Sequence, residues 1–261
     1  AKAGLGAGSS RGVQTRLLTG VPRLDAMLGG GVPRGYSVLV AGPSGSGKSI
    51  LATAFLAEGA RVGERGVIAV FEQRPDGSRS PELARLIQGG QVALVDARAP
   101  DLSIDEVVRL ITSEIVRLEA SRVVIDSLSG FELALAPTFR GDFRESMARL
   151  VAALAGLGVT VFMTSELEDR YTDLRFSPYG TAFLTDAIIV QRYIEVDSRI
   201  LRVMAVVKVR ASAHSPELRL FHIDDDGMHI GERVPDQEGL LVGRPTTKRD
   251  DPAAPRAGVS P

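Results

Sequence analysis

The sequence has no cysteine, no long apolar run and almost no net charge. Without cysteine among its 261 residues, it can form neither disulfides nor thiolate metal sites, and it fits a reducing compartment. No apolar run approaches about 18 residues and no charged-then-apolar leader is present, so we predict neither a membrane span nor a signal peptide. A formal net charge of −1 provides no global basic field for nucleic acid. We therefore expect a cytoplasmic protein with no membrane partner.

The composition divides the chain into three parts. The content of hydrophobic residues is 44%, which is sufficient for one sizeable core, and we place that core in residues 17–234. Residues 1–16 are polar and glycine-rich and begin without methionine, so we expect a flexible linker that was cut from a longer polypeptide or left by expression. Pro, Gly, Thr, Arg and Asp dominate residues 235–261, for which we predict a disordered tail.

Lysine is scarce, and one of its few positions lies in a phosphate-binding motif. Lysine occurs only at positions 2, 48, 208 and 248. Residues 42–49 match G-x-x-x-x-G-K-[ST] and consist of Gly42, Pro43, Ser44, Gly45, Ser46, Gly47, Lys48 and Ser49. The glycines let backbone N–H groups point at phosphate oxygens, and the positive end of the following helix adds to the attraction. We predict that these residues and Ile50 bind a nucleotide, that Lys48 reaches its terminal phosphates, and that the Ser49 hydroxyl binds Mg²⁺.

Apolar runs and amphipathic stretches alternate around this motif. Runs typical of buried strands lie at 37–41, 67–71, 91–95, 123–125 and 159–163. Stretches typical of helices lie at 50–62, 81–87, 103–118 and 143–157, and Ser103 with Glu106 forms a capping box. This order predicts an α/β fold, a mostly parallel central sheet flanked by helices. The later runs 187–194, 201–209 and 218–223 predict antiparallel strands that extend one side of the sheet.

Acidic residues follow two of the predicted strands, at the edge where the phosphate loop begins. Asp126 closes the run 122–125, and P-loop ATPases use a carboxylate there to orient Mg²⁺ and its water. Glu72 follows the run 67–71, and we predict that it is the general base for the attacking water. The adjacent Gln73 can position a water but cannot take its proton. Thr164 and Ser165 are as consistent with sensing the terminal phosphate as with ordinary strand-end hydroxyls.

Together these residues resemble the KaiC-type branch of the RecA-like ATPases, which includes the circadian clock ATPase. The resemblance runs from about Thr19 to Ile230. Its markers are Thr19-Gly20, Leu24-Asp25, the glycines 29–31, the full phosphate loop, Phe71-Glu72, Asp126-Ser127-Leu128-Ser129 and Lys208-Val209-Arg210. It implies a RecA-like P-loop fold and ATP as the nucleotide.

The resemblance also assigns roles to late residues of the chain. In that family, Lys-x-Arg on a late strand reaches across a subunit boundary to the γ-phosphate of the neighbour's ATP. It therefore implies that Lys208 and Arg210 are trans-acting catalytic residues, that His214 approaches the same phosphate end, and that the chain forms a homo-oligomer, expected to be a hexameric ring. Electrostatics favours this role independently, because a neighbour's cation stabilises the charge that phosphoryl transfer develops. The alternative for the pair is a solubilising role on an edge strand.

Two departures from the family pattern modify the expected activity. The family has two adjacent glutamates where this chain has Glu72-Gln73, which predicts slow hydrolysis. Adjacent Ser and Thr phosphosites of the family's autokinase half correspond to Ala182 and Phe183, which cannot accept a phosphoryl group. We therefore expect a slow, regulatory ATPase, paired with a tandem second ATPase domain or a regulatory protein.

Three alternatives stay open from the sequence. The first is an autokinase or protein kinase, for which Thr181 and Thr185 are hydroxyls near the corresponding stretch, although nothing in the sequence indicates that they are reached. A DNA-associated motor would use arginines such as Arg144 and Arg149, but acidic residues interleave with these, so we expect no nucleic-acid partner. A nucleotide-binding scaffold without turnover is the third alternative, because Gln73 replaces a glutamate.

Overall fold

The helices and strands follow the alternating pattern of the sequence. A computed structural model describes residues 15–71, 80–97, 102–135, 143–167, 184–196 and 198–234, and the backbone of two short strands beyond them. The helices in the described ranges are α1 (Pro22–Met27), α2 (Lys48–Arg61), α3 (Pro81–Gln88), α4 (Ile104–Leu118), α5 (Leu128–Ala134) and α6 (Phe143–Gly156). The early strands are β1 (Arg16–Leu17), β2 (Val32–Pro33), β3 (Ser37–Gly42), β4 (Gly66–Val70), β5 (Val92–Asp96), β6 (Arg122–Asp126) and β7 (Thr160–Glu166). The later strands are β8 (Ala187–Val196), β9 (Arg199–Val209), β10 (Arg219–Asp224), β11 (Gly227–Arg233), β12 (Gln237–Glu238) and β13 (Thr246–Thr247).

Nine of the strands form one sheet in the order β11-β10-β9-β8-β3-β7-β6-β4-β5. The pairs from β8 to β5 are parallel, whereas β8, β9, β10 and β11 pair antiparallel. This confirms the predicted α/β class with antiparallel C-terminal strands. The strand β11 was not predicted; it follows β10 through a turn across which Asp224 pairs with Gly227.

Alternating side chains of the central strand face two separate cores. Val38 and Val40 of β3 pack on the side of α1, α2 and α3, together with Leu24 and Phe55. Leu39 and Ala41 alternate with them and pack on the other side, with the apolar faces of α4, α5 and α6. Because both faces of the sheet are covered, the central strands are continuously apolar, as parallel strands require. In the ranges that the structure describes, no helix is long and apolar enough to cross a membrane.

Local hydrogen bonds explain where two of the helices begin. The Ser103 hydroxyl accepts from the Glu106 N–H at 3.2 Å, and the Glu106 carboxylate accepts from the Ser103 N–H at 2.8 Å. The predicted capping box of α4 is thus confirmed. The sequence did not indicate α5, because its seven residues contain a glycine and span only two turns. Its start is set by the Ser127 hydroxyl, which accepts from the Gly130 N–H at 3.2 Å.

The two expected terminal segments lie largely outside the described residues. Residues 1–14 and most of 235–261 belong to this undescribed part. Within the second segment, β12 and β13 pair antiparallel through two residues each. The linker and the disordered tail therefore stay predictions.

Candidate nucleotide-binding site

The phosphate loop connects β3 to α2 and depends on glycine at several positions. Gly45 and Gly47 have φ angles of 74° and 101°, in the left-handed region that favours glycine. A Cβ added at Gly42 would lie 2.8 Å from Ser46 Oγ and 2.9 Å from the Gln191 carbonyl oxygen. The loop therefore has the tight backbone curvature that a phosphate-binding loop needs.

Residues from β8 hold this loop from the side. The buried Ser46 hydroxyl donates to Gln191 Oε1 at 2.9 Å, and the Tyr193 hydroxyl donates to the Ser44 carbonyl at 3.4 Å. Sequence reasoning missed Gln191 and Tyr193, because only the pairing of β8 with β3 brings them beside the loop.

The hairpin formed by β10 and β11 supports the loop from below. A Cβ at Gly47 would collide with Ile223 Cδ1 and would lie 3.1 Å from Met228 Cε. Gly47 is thus required both by its backbone conformation and by close packing. Nothing local in the sequence of residues 42–49 indicates that a strand 170 or more residues away closes the floor of the loop.

The first turn of α2 presents cationic and dipolar groups to the loop. Lys48 Nζ donates to the carbonyl oxygens of Gly42 and Pro43 at 2.9 and 2.8 Å. These contacts hold the ammonium at the start of the loop. The helix begins at the N-cap Gly47, and in the described part of the chain no side chain caps it. The N–H groups of the first turn are therefore arranged for an anionic ligand, to which the helix dipole adds attraction.

A cavity of about 360 Å³ opens above the loop. Its lining combines loop and helix residues with the ends of two neighbouring strands, namely Ser44, Gly45, Gly47, Lys48, Ser49, Ile50, Asp126, Ser127 and Glu166. The cavity thus brings together seven of the residues that the sequence predicted for the site. Six of them belong to the segment 44–50, and the seventh is Asp126. Gly42, Pro43 and Ser46 are not among the lining residues; the first two accept hydrogen bonds from Lys48, and Ser46 donates to Gln191.

Asp126 is held by a neighbouring strand. It closes β6 with 9% exposure, and the Thr164 hydroxyl of β7 donates to its Oδ1 at 2.7 Å. The peptide bond between Asp126 and Ser127 is cis. Carboxylate and hydroxyl oxygens are the ligands that Mg²⁺ prefers, so Asp126 and Ser49, which line one cavity, fit this ion.

Glu166 is a further acidic residue of the cavity, which sequence reasoning did not assign to the site. The strand β7 continues beyond Met163 to Glu166, which pairs with Gly42, and the Leu167 N–H donates to the Gly42 carbonyl at 3.1 Å. The polar run from Thr164 to Glu166 was the signal that could have identified it.

The other acid that was expected at the site, Glu72, lies outside the described residues, as does its neighbour Gln73. The role of Glu72 therefore stays a prediction.

Lys208 and Arg210 lie at the opposite edge of the sheet from the phosphate loop. Val209 pairs with Ala187, and Ala187 pairs with Val38 at the amino end of β3, whereas the loop follows the carboxyl end of that strand. The length of β3 separates the two edges by roughly 15–20 Å. Within one chain, these cations therefore point away from the cavity that Lys48 lines.

Both cations are held in place at this edge. Arg210 Nη1 lies 3.3 Å from Asp186 Oδ1, and the Arg210 N–H donates to the Asp186 carbonyl at 2.7 Å. Lys208 Nζ donates to the Thr185 carbonyl at 2.6 Å. Burial lowers the pKa of the Lys208 ammonium, the Arg210 charge lowers it further, and Asp186 opposes both effects.

His214 follows in the segment that leads from β9 to β10. It is half-buried, and its neighbours Ala213 and Ser215 contact the end of α1: the Ser215 N–H donates to the Met27 carbonyl at 2.8 Å. The Ala213 carbonyl lies so close to Gly29 that a Cβ there would collide with it. His214 therefore does not lie among the residues that line the cavity of its own chain.

The chain is similar to known proteins in sequence and in fold. Residues 17–234 match the family model described as "ATPase: KaiC". The chain is 29% identical to the circadian clock oscillator protein KaiC of Rippkaea orientalis over 91% of this chain and 46% of that protein. It is 30% identical to the circadian clock protein KaiC3 of Synechocystis over 88% of this chain and 46% of that protein. The chain thus spans about half the length of the curated relatives it matches.

A solved structure shows the same fold. The crystal structure of a KaiC-like protein from the hyperthermophilic archaeon Pyrococcus horikoshii matches with a TM-score of 0.74 and 28% identity, over 84% of this chain and 100% of that one. The family model covers residues 17–234, which include the full phosphate loop, and the neighbouring structure shares the overall fold. The chain therefore belongs to the KaiC family of RecA-like ATPase domains.

Proposed function

We propose that this chain hydrolyses ATP slowly in a Mg²⁺-dependent reaction and that each site is completed by Lys208 and Arg210 of a neighbouring copy. One observation carries the proposal: the cavity with Lys48 and Asp126 lies at one edge of the sheet, and the two fixed cations lie at the other. A head-to-tail contact can bring such edges together in successive copies, and it repeats until a ring closes. We expect about six copies in that ring.

Each residue of the cavity has a distinct role in the proposed reaction. The loop N–H groups and Lys48 hold the β- and γ-phosphates, and Ser49 with Asp126 holds Mg²⁺. When bound, Mg²⁺ neutralises charge on the phosphate oxygens. A water oxygen attacks the γ-phosphorus while the bond to the β–γ bridging oxygen breaks, and Glu72 accepts the proton of that water. The products are ADP and inorganic phosphate.

The neighbour's cations stabilise the charge that develops in this step. Lys208 and Arg210 supply two positive groups toward the γ-phosphate, with His214 at the same end. The Asp186 carboxylate and the Thr185 carbonyl hold them before the neighbour arrives, which reduces the conformational entropy lost in forming the shared site. Glu166 lines the same cavity from β7, and we propose that it positions the attacking water.

The test is the mass of the protein in solution with and without Mg-ATP, together with phosphate release in the same sample. We expect a ligand-dependent increase to about six times the mass of one chain, with turnover confined to the assembled fraction. A monomer that turns over ATP at the same rate per chain would refute the shared site. An assembly without phosphate release would instead leave a nucleotide-binding scaffold.

The other functions considered from the sequence receive less support. Thr185 is 1% exposed, which disfavours it as a phosphate acceptor, and Ala182 and Phe183 lie outside the described residues. For the DNA-associated motor, Arg149 forms an ion pair with Asp105, as a solvated surface arginine does. We keep the cytoplasm as the proposed location, and a tandem domain or a regulatory protein as the proposed partner.

A further inference from the structure

The hairpin of β10 and β11 carries two of the three histidines of the chain on one face. Side chains alternate along a strand, so Phe221 and Ile223 face the core while His222 and Asp224 face outward. In the antiparallel register, His222 pairs directly with His229. The turn of the hairpin lies at the same edge of the sheet as the phosphate loop, but the three polar side chains point away from the core.

The donor atoms of these three residues lie close together. His229 Nε2 lies 3.0 Å from Asp224 Oδ1, and His222 Nε2 lies 3.6 Å from Asp224 Oδ2. The two imidazole rings stack with their centroids 5.0 Å apart and their planes at 20°. One donor atom from each residue can be chosen so that all three lie within 4.8 Å of one another.

These distances match those between ligands on one small metal ion. Zinc binds imidazole nitrogen and carboxylate oxygen at about 2.0–2.2 Å, so two ligands on a tetrahedral zinc ion lie about 3.3 Å apart. Each imidazole nitrogen lies near this distance from one of the two Asp224 oxygens, at 3.0 and 3.6 Å, and with one donor atom per residue the largest separation is within 4.8 Å. The stacked rings have to rotate about their side-chain bonds for both nitrogens to point at one ion, and the exposure of the side chains allows that rotation.

We propose that His222, Asp224 and His229 bind a divalent transition-metal ion of the zinc type, with water in the open position. The donor set of two imidazoles and one carboxylate selects zinc-like ions over Mg²⁺, which prefers oxygen ligands. The site is therefore distinct from the oxygen ligands Ser49 and Asp126. Its side chains are 46–68% exposed, so an ion can enter without movement of the backbone.

The hairpin connects this site to the floor of the phosphate loop. Ile223 lies between two of the ligands in sequence and packs beneath Gly47 on the other face of the strand. Met228, next to His229, is buried and packs there too. A metal bound across β10 and β11 would thus stiffen the support of Gly47. Binding to the native state alone would raise the melting temperature.

The experiment is a calorimetric titration of Zn²⁺ into the nucleotide-free protein without a histidine tag. We expect one ion per chain with a dissociation constant on the order of 10 µM. His222→Ala and His229→Ala should each weaken binding about 10-fold or more, and Asp224→Asn should weaken it in the same direction. His214→Ala is the matched control, since it removes the one histidine outside the hairpin and should leave the affinity unchanged.

Imidazole NMR resonances give a second readout that is independent of ATP hydrolysis. Zn²⁺ should shift the resonances of His222 and His229 and leave those of His214 in place. The proposal fails if the wild-type protein takes up no Zn²⁺ at 1 mM metal (about 100 times the expected dissociation constant). It also fails if the His222→Ala and His229→Ala variants bind Zn²⁺ as the wild type does, or if His214→Ala removes the affinity.

Discussion

The parallel and antiparallel halves of the sheet contribute to the proposed site in different ways. In the parallel half, β3, β6 and β7 all end at one edge, and their ends bring Lys48, Asp126 and Glu166 to one cavity. In the antiparallel half, the chain reverses after each strand. Lys208 and Arg210 therefore lie at the edge opposite the phosphate loop, whereas the turn between β10 and β11 lies at the same edge as that loop.

This difference explains how one chain could supply both parts of the proposed shared site. Parallel strands converge on a ligand because their carboxyl ends meet at one edge. Antiparallel strands present side chains at both edges, so one half of the sheet can support its own phosphate loop through Ile223 and also hold cations for a neighbour. The predictions below test each half in turn, from the largest expected effect to the smallest.

Lys48→Ala tests the parallel half most directly. It removes the cation that we propose reaches the terminal phosphates, and charge-assisted hydrogen bonds contribute about 1.5–3 kcal/mol each. We expect ATP affinity to fall about 10²–10³-fold, and turnover and assembly to be lost with it. Equilibrium binding of a fluorescent ATP analogue measures the affinity. Lys248→Ala, in the C-terminal segment, is the control and should bind as the wild type does.

Glu72→Gln and Glu166→Gln separate the two candidate acids. Glu72→Gln preserves the size of the side chain but removes the proposed proton acceptor, so we expect turnover to fall about 10²-fold with ATP binding unchanged. Glu166→Gln can still hydrogen-bond water, and we expect a loss of about 10-fold. Phosphate release under single-turnover conditions measures both rates. The reverse order of effects would assign the general base to Glu166.

Arg210→Ala tests whether the antiparallel half acts on a neighbour. We expect turnover to fall about 10-fold, since Lys208 still supplies one cation, while ATP affinity of the isolated subunit stays unchanged. Arg199→Ala is the control, an exposed arginine at the other end of β9, and it should have no effect on turnover.

Mixing the Arg210→Ala and Lys48→Ala proteins tests directly whether Arg210 acts on the phosphate loop of a neighbouring subunit. Some interfaces in mixed assemblies combine an intact phosphate loop with an intact Arg210, so we expect partial recovery of turnover. No recovery, despite proven co-assembly, would count against catalysis across the subunit boundary.

Ile223→Ala tests the support that the antiparallel half gives to the phosphate loop, and here we expect the smallest effect. Ile223 is partly buried beneath Gly47, so its truncation should lower the free energy of unfolding by roughly 1–2 kcal/mol and weaken ATP binding a few-fold. Ile200→Ala makes the same chemical change on β9 at 75% exposure and should change stability by less than about 0.5 kcal/mol. Thermal unfolding and ATP titration compare the two variants.

The elements of the parallel half could be predicted from the sequence because their signals are local. Continuous apolar runs, the glycines of the loop and the capping box of Ser103 each depend on residues within a few positions. Glu166 was missed because the expected strand stopped at Met163, three residues before the edge. Gln191 and Tyr193 could not be predicted as loop contacts, since they reach the loop only through the pairing of β8 with β3.

By itself, the sequence determined the α/β class and the phosphate loop, because glycine, lysine and serine at fixed spacing dictate one backbone shape and one chemistry. Only the tertiary structure decided that Lys208 and Arg210 lie at the edge opposite their own loop, and that His222 lies opposite His229. The physical reason is strand direction and register. These set which residues share an edge or a face, and they depend on pairing between segments that are distant along the chain.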